Sequence, residues 1–280
     1  MKSLTEKYRP ATLAEIRGHS QIVRLLQSFK RNPSSKAFLF CGSQGTGKTS
    51  AAIALGNELC GVKPGMDAAW YGLTSIPAGD LTVQSIRELR LNTLCQHTAF
   101  GTGFKVIICN EYDFRSDQAE ALLLELLENL MPKTVFIFTT NETPGSKDGK
   151  LSPRFCSRCE IHHFKTPIKD FGNGDGAAEL AAQNLIDDVW QKELGHNTSP
   201  KLADLDGWKD GGNLSFRSVL QALEPLIRLQ REDDAAAIPP PLPEIAPIQT
   251  APQMNVPMMP SGRVSALAEM EMAAKFFARA

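Results

Sequence analysis

The sequence predicts an α/β fold, a parallel sheet covered by helices, followed by a small all-helical domain. Three observations carry this prediction. Apolar, β-branched and aromatic runs alternate with helical stretches up to about residue 165, the pattern of a parallel sheet buried on both faces. A glycine-rich loop, Gly42-Ser-Gln-Gly-Thr-Gly-Lys-Thr49, lies between one such run and a helical stretch. Beyond residue 166 no strand pattern is evident, and two long helical stretches take over.

Taken in order, residues 22–30 form an amphipathic helix and residues 37–41 a buried strand. Residues 49–59 are helical, residues 104–109 and 134–139 are further strands, and the helix 117–130 lies between those two strands. Residues 177–194 have helical composition, with Gly195 as the stop. Residues 216–229 are helical, with Pro225 as a kink. Residues 235–260 hold eight of the 18 prolines, a composition suited to an extended linker rather than a packed core. Helical character returns at 264–280, where Val264, Leu267, Met270, Ala274 and Phe277 share one face. That helix either packs on its own domain or docks a partner from a flexible tether. The expected divisions are therefore 1–165, 166–232, a linker 233–260 and a terminal helix 261–280.

Composition narrows the function classes. A formal net charge of −1 rules out a global basic field, so any contact with DNA must come from a local surface. Of the six cysteines, most lie in apolar runs, and only Cys156 and Cys159 have CxxC spacing, with no second pair to complete a zinc site. No disulfide framework is indicated, which points to a reducing compartment. The N-terminus lacks a signal-peptide core and no apolar run reaches membrane-spanning length. The expectation is a cytoplasmic protein with no membrane partner.

The glycine-rich loop carries the strongest chemical signal. Its spacing lets Gly42, Ser43, Gln44, Gly45, Thr46 and Gly47 turn backbone N–H groups toward a phosphate chain. Lys48 can reach the β- and γ-phosphates, Thr49 can ligate Mg²⁺, and Ser50 continues the first helical turn. The following helix aims its positive end at the same anion. The expected ligand is a nucleoside triphosphate, ATP, with Mg²⁺. Such a site needs an acid at the end of a neighbouring strand. Glu111 follows the apolar run 106–109 and Asn110, and is the candidate general base for an attacking water. Asp113 lies two residues on. Asn110 stands where a metal-organising aspartate is expected; it can bond a metal-bound water but adds no negative charge, which predicts weak turnover.

Together these residues resemble the AAA+ clamp-loader ATPases, of the replication factor C small-subunit and phage clamp-loader type, over residues 5 to about 230. Glu6-Lys-Tyr-Arg-Pro10 and Thr12-Leu-Ala-Glu-Ile-Arg-Gly18 match the family's N-terminal segment. The resemblance implies that Tyr8, Arg9 and Pro10 lie over the adenine base, with Arg17 and Gly18 beside them. Ala78-Gly-Asp-Leu-Thr-Val-Gln-Ser-Ile-Arg87 looks like the family's segment between its first acid strands, and Asn110-Glu-Tyr-Asp113 like its acidic box. Asn141 matches the residue called sensor 1, which positions the attacking water. Ser157-Arg158-Cys159 matches the family's tripeptide, so Arg158 is implied as an arginine finger reaching the ATP site of a neighbouring subunit. Gly212-Asn-Leu-Ser-Phe-Arg217 resembles the sensor 2 segment, making Arg217 the candidate phosphate contact from the lid.

The resemblance implies an AAA+ P-loop NTPase domain with a helical lid, in a clamp-loader oligomer acting on a sliding clamp and primer–template DNA. Arg87, Arg90 and Arg115 are candidates for salt-dependent phosphate contacts, although each also fits an ordinary solvated charge. The family's helical collar domain is replaced here by the proline-rich stretch and one short helix, which puts the usual pentamer in question. Two alternatives follow: a weakly hydrolysing ATP-dependent regulatory subunit, and an AAA+ protein of DNA repair or recombination.

Overall fold

The computed structural model describes residues 2–94, 98–114, 117–145, 151–166, 176–196, 198–210 and 213–237. Residues 1–237 form one compact unit. The terminal helix and nearly all of the linker expected from sequence lie outside the described residues, as do Arg115 and Gly212.

Five parallel strands build the sheet: β1 (Lys36–Cys41), β2 (Leu73–Pro77), β3 (Lys105–Asn110), β4 (Thr134–Thr140) and β5 (Glu160–His163). Their order is β2-β3-β4-β1-β5, so the strand that feeds the glycine-rich loop sits inside the sheet, beside β4. Period-two alternation divides the apolar side chains between two faces. On one face Leu39, Ile107, Cys109, Phe136 and Phe138 pack with residues of α4 (Val83–Glu88), α5 (Asp117–Glu128) and α6 (Pro153–Cys156). On the other, Phe38, Phe40, Val106, Ile108, Val135 and Ile137 pack with residues of α2 (Ser20–Arg31) and α3 (Lys48–Cys60). Each of these fully buried aliphatic or aromatic side chains contributes about 1.5–3 kcal/mol of transfer free energy.

Two strands escaped the sequence reading, β2 and β5. Both lie at the edges of the sheet and are partly exposed, so neither has the continuous apolar run that marks a central strand. Among the described residues the other predicted strands and helices are present, most with ends shifted by a few residues.

The lid consists of α7 (Ala177–Leu194) and α8 (Phe216–Ala237), with a core of Ala182, Ile186, Val189, Leu214, Val219 and Leu223 among others. Helix α7 ends at Gly195, whose φ of 75° is the left-handed C-cap the sequence suggested. Helix α8 continues past Pro225 to Ala237, longer than expected, with Pro225 exposed. The lid also holds a small antiparallel hairpin, β6 (Lys209–Asp210) and β7 (Asn213–Leu214), where no strand was expected. Strands of two residues leave no periodic signature in a sequence. The short N-terminal helix α1 (Leu4–Lys7) joins the lid core through Leu4, whereas Leu13 is buried against the sheet.

Candidate functional site

The site is assembled at the carboxyl ends of the parallel strands, the usual place for ligands in such sheets. The loop after β1, Glu111 after β3 and Asn141 after β4 meet there because the three strands are adjacent and parallel. A cleft of about 670 Å³ opens at this edge, within the range of small-molecule sites. Tyr8, Arg9, Pro10, Arg17, the run Gln44–Ser50, Glu111, Asn141 and Arg217 all line it. Five predicted residues do not line it: Gly18, Gly42, Ser43, Asn110 and Arg158.

Backbone geometry explains the glycines. Gly42 has φ 150°, and a Cβ there would lie 2.2 Å from the Phe164 carbonyl oxygen, so only glycine lets the loop leave β1 against that backbone. Gly47, at φ 99°, caps α3, and a Cβ there would meet nothing within 4 Å. The space before the first turn of α3 is therefore open, with the positive end of the helix dipole facing it. Lys48 is buried, and its Nζ donates to Gly42 O (2.8 Å), Ser43 O (2.7 Å) and Asn141 Oδ1 (2.9 Å). The lysine and the predicted sensor are thus in direct contact. The loop is pinned from behind by His19, whose Nε2 lies 2.7 Å from Thr46 O. Burial, and then the charge of Lys48, hold the His19 pKa below its ordinary value, whereas the Thr46 bond opposes the shift. His19 was missed in the sequence because a lone histidine before a helix carries no pattern.

Glu111 is exposed and holds a left-handed φ of 56°. Its N–H donates to Thr139 Oγ1 at 3.2 Å. That hydroxyl donates to Asn110 Oδ1 at 3.3 Å, and Asn110 Nδ2 donates to Ser75 Oγ at 2.9 Å. The Asn110 amide is thereby engaged across β2, β3 and β4, and the side chain reaching the cleft from this turn is that of Glu111.

The lid meets the loop directly. Asn213 Nδ2 donates to Ser43 Oγ (3.2 Å) and Phe216 N–H donates to Gly45 O (3.1 Å). Gly18, at φ 75°, leaves room for the Phe216 ring, which a Cβ would approach to 2.9 Å. Arg217 sits in the first turn of α8, where a cation is disfavoured by the helix dipole. An anion in the cleft would offset that.

Arg158 is not at this cleft. It follows α6, donates through Nη1 to Arg154 O (2.6 Å) and pairs with Glu128 at the end of α5. Arg87 and Arg90 lie on α4 and in the π-helical turn Leu89–Leu94 that follows it, and Arg90 pairs with Glu125 at 3.1 Å. Among the described residues no cluster of three His, Cys, Asp or Glu side chains could by itself hold a metal ion, and no helix is long and apolar enough to cross a membrane.

Residues 38–166 match the ATPase family associated with various cellular activities (AAA). Among curated proteins, replication factor C subunit 3 of Blastobotrys adeninivorans is 28% identical over 65% of this chain and 51% of its own length. The replication factor C small subunit of Methanococcus maripaludis is 31% identical over 60% of this chain and 50% of its own. That of Thermoplasma acidophilum is 32% identical over 59% and 49%. The chain thus spans about half the length of the curated relatives it matches. A solved DNA polymerase III gamma subunit-related protein from Thermotoga maritima aligns with a TM-score of 0.48 at 19% identity, covering 74% of this chain and 61% of that one. Residues 38–166 thus match the AAA ATPase family, and about 60% of the chain is similar to about half of a replication factor C subunit.

Proposed function

We propose that this chain is an ATP-hydrolysing AAA+ subunit of a DNA sliding-clamp loader, from a phage or other mobile replicon, acting in the cytoplasm. One observation carries the reading: a single cleft gathers the phosphate loop, Glu111, Asn141, Arg217 and the Tyr8–Pro10 segment from five separate parts of the chain. The residues fit ATP. The open space beyond Gly47, the α3 N-terminus and Lys48 suit a triphosphate, and Tyr8, Arg9, Pro10 and Arg17 suit the base and sugar end. Thr49 and Glu111 would hold Mg²⁺, which supplies charge neutralisation on the phosphates when bound.

Lys48 would leave its backbone acceptors for phosphate oxygens and keep Asn141 aligned beside them. Glu111 would orient a water and accept its proton. Arg217 would sense the phosphates from the lid. Arg158 would leave Glu128 to complete the site of a neighbouring subunit, so the working form is an oligomer. In this reading residues 1–165 are the ATPase domain, 166–232 the lid and 233–260 a tether for the terminal helix. Clamp and primer–template DNA are the partners, with Arg87 and Arg90 as backbone contacts.

The test is ATP turnover by the full chain with and without a clamp and DNA from the same replicon. Joint stimulation is expected, and Arg158→Ala should lose it while still binding ATP. Mixing Arg158→Ala with Lys48→Ala chains should restore part of it, because each supplies what the other lacks. No stimulation by any clamp encoded alongside this chain would sink the clamp-loader assignment. A second reading, a slow ATP-binding switch for regulation, repair or recombination, is favoured by the neutral Asn110 and its engagement by Ser75 and Thr139. A large gain in turnover in Asn110→Asp would support it.

A further inference from the structure

The Tyr8–Pro10 segment crosses from one part of the fold to another. Upstream, Leu4 is buried in the lid core. Downstream, Leu13 N–H donates to Glu58 on α3 (2.7 Å), and the Ala11 carbonyl accepts from Asn57 (3.2 Å). The crossing therefore needs a fixed point on its lid side, and the structure supplies one. Glu193, near the end of α7, has a side chain only 4% exposed. Its carboxylate accepts from Lys7 Nζ (2.6 Å) and Tyr8 Oη (2.6 Å), and pairs with Arg231 on α8. Five residues earlier on the same helix, Asp188 pairs with Arg17. Tyr8, Arg17, Asp188 and Lys192 all line the cleft.

We propose that Glu193 is a positioning residue for the nucleotide: held between Lys7, Tyr8 and Arg231, it fixes the Tyr8–Pro10 segment over the end of the cleft that takes the base. This rests on the ATP-site reading above. A buried carboxylate satisfied by three donors from two distant segments sets one geometry. Removing its charge weakens the hold on Tyr8 without touching the phosphate loop. The consequence is selective. Glu193 contributes to binding of the base and sugar, and nothing to binding of the triphosphate alone.

The experiment compares the full-length chain with Glu193→Gln and Tyr8→Phe, by calorimetric binding of Mg·ATP and of Mg·tripolyphosphate. Glu193→Gln should weaken ATP roughly tenfold, at the low end for loss of a charge-assisted hydrogen bond, while tripolyphosphate binding stays within about twofold. Tyr8→Phe, which removes one hydroxyl, should show the same selectivity at smaller size, and it carries the test alone if Glu193→Gln does not fold. Equal weakening of both ligands, or no change in either, overturns the proposal. No ATP binding by the unaltered chain overturns the nucleotide-site reading and this proposal with it, whereas ATP binding unmoved by both variants overturns this proposal alone.

Discussion

Glu111 combines a chemical role with a backbone cost. A residue with a side chain held at φ 56° gives up about 1–2 kcal/mol relative to the right-handed region, and such conformations gather at functional sites. Two outcomes follow. Glu111→Gln should still bind ATP and lower turnover by about 10²–10⁴-fold, the usual effect of losing a general base, as read by phosphate release. Glu111→Gly should lose turnover as well, yet raise the urea midpoint, because glycine adopts this backbone freely. The gain is up to about 1 kcal/mol, since glycine also adds unfolded-state entropy. A lower midpoint for the glycine variant would mean that the Glu111 side chain makes stabilising contacts outweighing its backbone cost.

Helix α3 shows how an element is held in place to aim a site. Its buried Gly56 faces the sheet, where a Cβ would lie 2.6 Å from Leu73 Cδ1 and 3.4 Å from Val106 Cγ1. This close approach sets the depth of α3 against β2 and β3, and hence the position of Lys48 at its start. Gly56→Val should overpack the contact and destabilise the chain by about 1–3 kcal/mol, measurable by urea unfolding. Gly56→Ala should cost less, because the Leu73 side chain can turn away and alanine favours the helix. At this scale the buried strands β1, β3 and β4 and the long helices were legible from local pattern. The edge strands β2 and β5 were not, since partial exposure removes the apolar run.

Across the whole molecule, charge and burial set the response to pH and to thiol reagents. Burial pushes Glu193 toward protonation, but the hydrogen bonds from Lys7 and Tyr8 and the charges of Lys7 and Arg231 outweigh it, so its pKa lies below the ordinary 4.5. A carboxylate with a depressed folded-state pKa adds stability that is complete above its unfolded value and is lost as pH falls through the folded one. The stability difference between the wild-type chain and Glu193→Gln should therefore be constant near neutrality and shrink only below about pH 4.5. A constant difference down to pH 2 would show that the charge is not what Glu193 contributes. Burial also pushes the Cys41 thiol up to about 11 and Cys60 to about 12, and Cys109 is fully buried. These three should resist a thiolate-directed reagent at pH 8 in the native chain and react on unfolding, as read by mass analysis of the labelled peptides.

The sequence by itself determined the phosphate loop, the central strands and the order of the helices, because glycine spacing, apolar runs and helical periodicity are local properties. It also supplied Glu111, by its place after a strand, whereas Asn141 and Arg217 came from the resemblance to the clamp-loader ATPases. Tertiary structure alone decided that Asn141 touches Lys48, that His19 supports the loop at Thr46, and that the lid bonds the loop at Ser43 through Asn213 and at Gly45 through Phe216. It also joined Tyr8 to Glu193, 185 residues away in the chain. A solvated helix face and one that receives a distant segment read alike in sequence, since both are polar. Only the packing of α7 against α1 and α8 shows which of its carboxylates is buried.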